Sequence, residues 1–370
     1  MLVLVRLSLG QPIVYILNKR EITIGRVDKD IIVNDPSVSR GHAKIELAPH
    51  APGTLVYFDA TPSVTITDSS KFGTSINNKQ ISKETPTPVE IGSLISLSAN
   101  KVRFVLMNVP LCFCLSSLTK QEKQEAQEKA SIFGRILERW TDSCTHLVMR
   151  TASFTEKFAF ALISCKPIVK PEYLTAIETL PVSQPIEGEQ PQILSSSDEV
   201  KIPDIQQITE QLYTMLPRII DFIPDLDASI RSSPSQLHPD KRRKQLFRGM
   251  KFLFLSPNLF TNFSKIVLSA GGEASQFNYE IKDKIKWKLQ LKTEQKDKER
   301  EIMKDILQQL EQYIGYLGIG SLSQIQQNKS QAQQNSSEIS QLYEQLVPEA
   351  CKQCGINIYD QADIPGLFTT

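Results

Sequence analysis

The chain has 370 residues, 40% of them hydrophobic, and a formal net charge of +1. That length admits two or three domains, and the near-neutral balance excludes a protein drawn to nucleic acid or membrane by its overall field, so charged recognition has to be local. No apolar run approaches the ~18–20 residues of a membrane span, and six scattered cysteines suggest free thiols in a reducing compartment.

The opening stretch MLVLVRLSLG carries Arg6 and reads as a strand rather than a signal peptide. Up to about Met107 the dominant period is two. PIVYILNK, EITIG, HAKIELA, TLVYFDA, SVTITD, VEIGSLISLS and KVRFVLM are short, rich in Val, Ile and Thr, and separated by Gly-Gln, Asn-Asp-Pro, Ala-Pro-Gly and Asn-Asn turns. This spacing predicts an all-β sandwich or barrel without a long helix.

From Leu111 the pattern changes. PLCFCLS predicts a strand, and the following segment a helix with an N-cap at Thr119 and an end near Gly134. CTHLVM then reads as a strand, TEKFAFALISC as a helix, KPIVK as a strand and PEYLTAIETL as a helix with proline in its first turn. Strands alternating with helices predict a small α/β module with a parallel sheet. Residues 182–240 are rich in proline, serine and acids and read as a linker containing one helix, IQQITEQLYTMLPRIIDFI. KQLFRGMKFLFL followed by NFSKIVLSAGGEA repeats the earlier strand–helix pattern, with a long charged helical insertion after it. A glutamine-rich stretch over 324–345 is expected as a flexible loop, and CGINIYDQADIPGLF as a closing strand and tail.

The chemistry-bearing residues of the β-rich segment lie on its turns. Arg26 follows a glycine, Ser39 and His42 form Ser-x-x-His, and Lys71 precedes Phe72 and Gly73. A guanidinium can fork two N–H groups onto a phosphate, a serine adds an O–H, and a lysine adds a point charge. A lone Gly-Arg would be read as a surface arginine paired with Asp28 or Asp35. The joint spacing of Gly25-Arg26, Ser39-x-x-His42 and Gly73-Thr74 resembles the forkhead-associated (FHA) family. That resemblance implies phosphothreonine-peptide binding, with Arg26, Ser39 and Lys71 on the phosphate and Arg40 flanking it. Gly73 would allow close approach of the peptide, and His42 would brace the loop by hydrogen bonds. The family usually carries Asn before this glycine, where Phe72 stands here.

WTDSCTHLVM and ISCKPIVKPEYL resemble the tryptophan-containing BRCT repeat, and the module near Lys244 is similar to a diverged second copy. The resemblance implies a phosphoserine pocket from Ser116, Ser117 and Lys157, with Ser117 at a position where the family commonly has glycine.

An FHA domain followed directly by two BRCT repeats resembles the phosphopeptide-binding subunit family of the MRN DNA double-strand-break repair complex. The implied architecture is multidomain: an all-β FHA sandwich over 1–108, a first α/β BRCT repeat over 109–181, a linker over 182–240 and a second BRCT repeat with its insertion over 241–370. The implied function is that of a non-enzymatic adaptor without cofactor or metal, in double-strand-break repair, checkpoint signalling, telomere maintenance and meiosis. It would act in the nucleus, at chromosomes and break sites. Its partners would be phosphorylated Ser/Thr peptides in acidic contexts on repair and chromatin proteins, the nuclease and ATPase subunits of the complex and a checkpoint kinase, with DNA associated indirectly and no membrane.

A rival reading is a DNA- or protein-binding scaffold with vestigial phosphate pockets, using the charged helix near 282–310 and the basic run Lys241–Lys244. Cys351 and Cys354 have zinc-knuckle spacing without a second pair nearby. Ser235, Ser275, Ser323 and Ser330 precede glutamine as damage-kinase sites do, but a glutamine-rich chain produces such pairs by chance. No nucleophile–base pair or paired carboxylates are apparent. The few residues between Met107 and Leu111 predict that the sandwich packs directly on the first α/β module and fixes the distance between their pockets.

Overall fold

The structure, a computed structural model, describes residues 1–8, 11–48, 62–98, 101–182, 202–228, 237–277, 295–313, 316–319 and 338–359. The expected strand TLVYFDA, most of the proline- and serine-rich linker, the start of the charged insertion, Ser235, Ser323, Ser330 and the C-terminal tail lie outside the described residues. Contacts divide the chain into two compact units, Met1–Arg150 with Ile168–Pro224 and Thr151–Pro167 with Asp225–Thr370.

The first unit begins with short strands: β1 (Leu2–Arg6), β2 (Ile13–Ile16), β3 (Glu21–Gly25), β4 (Ile31–Ile32), β5 (Ala43–Ala48), β6 (Ser63–Asp68), β7 (Thr74–Ile76), β8 (Lys79–Gln80), β9 (Thr87–Val89), β10 (Leu94–Leu97) and β11 (Val102–Asn108). They form two sheets, ordered β2-β1-β11-β10-β7-β8 and β4-β3-β5-β6-β9. Every pairing in them is antiparallel except β3 with β4. Period-two alternation puts Leu4, Tyr15, Ile24, Ile45, Ile66 and Phe104 into one core.

β1 is buried on both faces. Leu2 and Leu4 belong to the sandwich core, whereas Val3 and Val5, with Val105 and Met107 of β11, join a second core with Leu111, Phe113, Phe133 and Tyr173. Each such side chain is worth on the order of 1.5–3 kcal/mol when fully removed from water. That explains why LVLV is apolar without interruption. The sandwich and the following α/β segment of this unit share a hydrophobic core, as the short Met107–Leu111 connection requires.

That segment contains β12 (Cys112–Leu115), α1 (Lys120–Phe133), β13 (Arg135–Leu137), β14 (His146–Val148), β16 (Ile168–Val169) and α3 (Glu172–Glu178); β15 (Thr151–Ala152) and α2 (Glu156–Ile163) fall in the second unit. Its sheet is parallel, ordered β13-β12-β14-β16. Thr119 caps α1 in a capping box: its hydroxyl accepts from the Glu122 amide (3.2 Å) while its own amide donates to the Glu122 carboxylate (2.9 Å). Gly134 ends α1 in extended, not left-handed, backbone. Its glycine is required by packing, since a Cβ there would lie 2.6 Å from the Phe113 ring.

The helix expected within the linker is α4 (Ile205–Met215), followed after Pro217 by a 3-10 turn at Ile219–Phe222. It is anchored as well as formed, with Ile208, Leu212 and Leu216 in the core shared with Phe113 and Tyr173.

In the second unit β15 pairs in parallel with β17 (Asp225–Leu226). β18 (Lys251–Phe254), α5 (Pro257–Ser269), β19 (Glu273–Gln276), β20 (Leu317–Ile319) and β21 (Ile358–Tyr359) supply a parallel sheet ordered β19-β18-β20-β21. Both parallel sheets thus place their strands in the order second, first, third, fourth, the topology expected of a repeated module. Phe154 stacks on Phe263 of α5 with ring centroids 6.3 Å apart. The charged segment yields α6 (Gln295–Leu310), and α7 (Glu338–Gln353) begins inside the stretch expected as a flexible loop. Residues 338–345 are therefore helical. Ile302, Ile306 and Leu310 of α6 pack with Val347, Ala350 and Cys351 of α7, so the apolar stripe of this helix pair outweighs the local glutamine content.

Candidate functional site

The sandwich carries its candidate site on the loops between β3 and β5 and between β6 and β7. Gly25 ends β3 under the carbonyl of Arg40, and a Cβ at residue 25 would lie 2.2 Å from that oxygen. Only glycine lets the two ends of the β3–β5 connection approach so closely there. The Arg26 amide then donates to the Ser39 carbonyl at 3.0 Å, which fixes the start of the arginine beside Ser39. Among the described residues the half-buried Arg26 side chain makes no ion pair, so the pairing with Asp28 or Asp35 does not form. The Asp35 carboxylate instead accepts from the amide (2.8 Å) and hydroxyl (2.5 Å) of Ser37.

His42 is fully buried between the loops. Its Nδ1 accepts from the Ser39 amide (3.2 Å), so the proton resides on Nε2, which donates to the Gly73 carbonyl (3.3 Å). Burial lowers its pKa, partly opposed by the hydrogen bond to Gly73 and the charge of Asp68. A neutral, doubly bonded, buried imidazole suits a strut joining the loops.

A direct bond also joins them: the Lys71 amide donates to Ser39 Oγ at 3.0 Å. Ser39 accepts with its lone pair and retains its hydroxyl hydrogen for an incoming acceptor. Lys71 is exposed, its ammonium 5.5 Å from the centroid of the exposed Phe72 ring. Gly73 has φ +84°, in the left-handed region, and a Cβ there would lie 2.5 Å from Gln80 Nε2. Arg26, Ser39, Lys71 and Gly73 are therefore brought to one pair of linked loops, with exposed Arg40 on the same turn as Ser39.

Three contributors escaped the sequence reading. Buried Asp68 accepts from the Ser70 amide (3.2 Å) and from Thr74 Oγ1 (2.8 Å), and Ser70 Oγ in turn accepts from the Gly73 amide (2.8 Å). The signal was present as Asp-Ser-Ser, a composition that favours side-chain-to-backbone turns. Lys29 was missed because nothing local marks it. Its chain runs beneath Gly25 and Gly41, with Nζ 3.9 Å from where a Gly41 Cβ would be. Arg26, Lys29, Arg40 and Lys71 thus all stand on these linked loops, in a chain whose net charge is only +1.

The second candidate site is on the α/β modules. Ser116 follows β12, is buried, and donates its amide to the Val148 carbonyl at 3.0 Å. Ser117 is exposed and held at φ +52°, the left-handed region that glycine occupies without strain. Arg150 bonds both the Glu122 and Glu172 carboxylates, the latter at 2.9 Å. The Thr119 amide first, and Arg150 next, hold the Glu122 carboxyl down to about 2. Lys157 is in the first turn of α2, one residue after Glu156 and two after the N-cap Thr155. Ser116 and Ser117 belong to the first compact unit and Lys157 to the second. At Cys351 and Cys354 burial raises both thiol pKa values, that of Cys351 to about 12.

A two-sheet sandwich with glycine-braced cationic loops, continuing into parallel α/β modules of repeated topology, defines an FHA–BRCT protein. The FHA domain family matches residues 22–98, and the BRCA1 C Terminus (BRCT) domain family matches residues 110–178. Among curated proteins the chain is similar to nibrin. It is 30% identical to nibrin of Danio rerio over 270 residues, which is 72% of this chain and 28% of that one. It is also 30% identical to nibrin of Mus musculus over 258 residues, 69% of this chain and 30% of that one. The chain thus spans less than a third of the length of these relatives. The fold is that of the S. pombe Nbs1 FHA/BRCT-repeat domain, with TM-score 0.54, 16% identity, and coverage of 100% of this chain and 95% of that one. The S. pombe Nbs1 FHA-BRCT1-BRCT2 domains give TM-score 0.51 and 15% identity, covering 96% of this chain and 98% of that one.

Proposed function

We propose that this chain is a non-enzymatic, phosphopeptide-binding adaptor acting in DNA double-strand-break repair. The observation that supports the proposal is the Ser39–Lys71 hydrogen bond beside the His42 strut, which, together with the Arg26 amide bonded to the Ser39 carbonyl, draws the backbone at residues 26, 39 and 71 together. A phosphate brings about −1.5 to −2 charges and three acceptor oxygens. Arg26 supplies a bidentate fork, Ser39 a hydroxyl donor and Lys71 a point charge, while Arg40 and Lys29 favour acidic residues nearby. Two or three charge-assisted bonds at roughly 1.5–3 kcal/mol each suit a dissociation constant on the order of 1 μM.

Similarity to nibrin supports an association with the MRN complex in the nucleus, with the nuclease and ATPase subunits and a checkpoint kinase as further partners and chromosome breaks as the place of action. The BRCT modules would contribute a phosphoserine site from Ser116, Ser117 and Lys157. The domain boundaries proposed are 1–108, 109–181, 182–240 and 241–370, the third segment being a linker whose α4 is docked.

The test is a calorimetric titration of acidic peptides with and without a phosphothreonine. Binding that requires the phosphate and weakens at least ~10-fold in Arg26→Ala, about 1.4 kcal/mol, with an unchanged melting temperature, supports the reading. Equal binding by Arg26→Ala and the parent chain refutes it. Lys157→Ala against a phosphoserine peptide tests the second site separately.

A further inference from the structure

The cationic loops also present apolar surface. Val27, 45% exposed, directly follows Arg26, and Phe72, 55% exposed, directly follows Lys71. Among the described residues before Val109, Ile91 is the one other large hydrophobic residue comparably exposed. Phe72, the most exposed of the three, is also the one whose ring has a cation of the candidate site beside it.

Phe72 is held there. The amide before it is fixed by Lys71 N–H to Ser39 Oγ at 3.0 Å, and the residue after it by Gly73 N–H to Ser70 Oγ at 2.8 Å and by His42 Nε2–H to the Gly73 carbonyl at 3.3 Å. With both neighbours fixed, the ring remains on the solvent side of the loop. The Lys71 ammonium lies 5.5 Å from its centroid, close enough for a cation–π contact. Cation and ring therefore form one composite surface, part anion-binding and part apolar. An extended peptide advances ~3.3 Å per residue, so a phosphate on Lys71 brings side chains one or two residues away over the ring.

We propose that Phe72 is a specificity residue that selects phosphothreonine peptides carrying an aliphatic or aromatic side chain one or two positions from the phosphothreonine. The inference rests on the phosphothreonine reading of Arg26, Ser39 and Lys71 given above. Asparagine at residue 72 would offer hydrogen bonds to the peptide main chain; phenylalanine offers none and supplies a face that an apolar side chain covers. Selection at this position is then by side-chain burial, while acidic residues elsewhere in the peptide meet Arg40 and Lys29.

The experiment uses the whole chain and a set of phosphothreonine peptides in which each position within three residues of the phosphothreonine is varied among Leu, Phe, Asn, Asp and Ala. Fluorescence anisotropy reads affinity for the parent, Phe72→Asn and Phe72→Leu. The expected result is at least a ~5-fold gain for Leu or Phe over Asn at one position, about 1 kcal/mol. That gain vanishes in Phe72→Asn and largely survives in Phe72→Leu, while all three chains still require the phosphate. Phosphate-dependent binding without an apolar preference, or with a preference that Phe72→Asn leaves intact, overturns the inference and leaves the phosphothreonine reading standing. Absence of phosphate-dependent binding by the parent chain overturns both. Phe72 is exposed, so a melting curve superimposable on the parent's is expected for both variants.

Discussion

Asn18 of the sandwich holds the end of α3 through Ile177. Its buried amide nitrogen donates to the carbonyl of Ile177 at 2.9 Å, and also to those of Glu178 (3.3 Å) and Leu180 (2.8 Å). Carbonyls at a helix C-terminus have no partner within the helix, and here a side chain about 160 residues away in the sequence supplies one. The junction of sandwich and first α/β segment therefore combines a shared apolar core with a polar clasp.

Asn18→Ala should take a buried donor from these carbonyls, of which that of Ile177 keeps the Leu180 amide, and cost about 0.5–1.5 kcal/mol. In a unit of this size that lowers the melting temperature by roughly 2–4 °C per kcal/mol. Phosphothreonine-peptide affinity at 25 °C should stay at the parent level, because the Asn18 amide bonds to Ile177, Glu178 and Leu180 and not to the cationic loops. Thermal unfolding indistinguishable from the parent would show that water replaces the clasp at no cost.

His42 should make stability depend on pH in a defined direction. Its pKa in the folded state lies below the ordinary 6.5, chiefly through burial. As pH falls the unfolded chain therefore takes up this proton first. The contribution is complete above about pH 6.5 and is lost as pH drops from there through the folded-state pKa. Melting temperatures measured from pH 7.5 to 5 should fall less steeply for His42→Gln than for the parent; parallel curves would contradict the assignment. His42→Ala should lose stability and peptide affinity together, since the strut between Ser39 and Gly73 disappears. Lost affinity with unchanged melting would instead indicate a direct contact with the peptide.

Asp68 separates loop positioning from charge. Asp68→Asn keeps an Oδ1 acceptor for the Ser70 amide and the Thr74 hydroxyl and should bind phosphopeptide within about 2-fold of the parent. Asp68→Ala leaves two buried donors unpaired, costing about 1–3 kcal/mol, and should weaken binding several-fold. Equal affinities for Asp68→Ala and the parent would mean that the loop from Ser70 to Gly73 is held without this carboxylate.

Ser117 tests backbone strain. Left-handed backbone costs a non-glycine residue roughly 1–2 kcal/mol, and glycine gives back about 0.5–1 kcal/mol of that as unfolded-state entropy. Ser117→Gly should thus be neutral to about 1 kcal/mol stabilising, whereas β-branched Ser117→Val should be destabilising by about 1–2 kcal/mol. Denaturant midpoints of the two variants decide it. Valine melting with the parent would show that this turn relaxes freely.

Signals confined to a few neighbouring residues were legible in the sequence. Thr119 and Glu122 stand three apart because the capping box requires it, and α1 begins there. The period of two in β5 and β6 and the parallel α/β alternation from Leu111 were equally plain, as were Gly25-Arg26 and Ser39-x-x-His42. What depends on residues far apart was decided only by the tertiary structure. Nothing within LVLV says that Val3 and Val5 face a second core while Leu4 faces the first, because continuous apolarity is compatible with burial on either side. Asn18 reads as an ordinary turn residue until α3 arrives to be held. Residues 338–345 look like a polar loop until α6 provides the surface on which α7 packs. Asp68 and Lys29 join the candidate site only through the crossing of loops separated by some thirty residues. A glycine at residue 25 could be recognised, but its necessity comes from the Arg40 carbonyl. Local bonding preferences are written in adjacent residues, whereas burial and loop closure belong to contacts that exist only once the chain has folded.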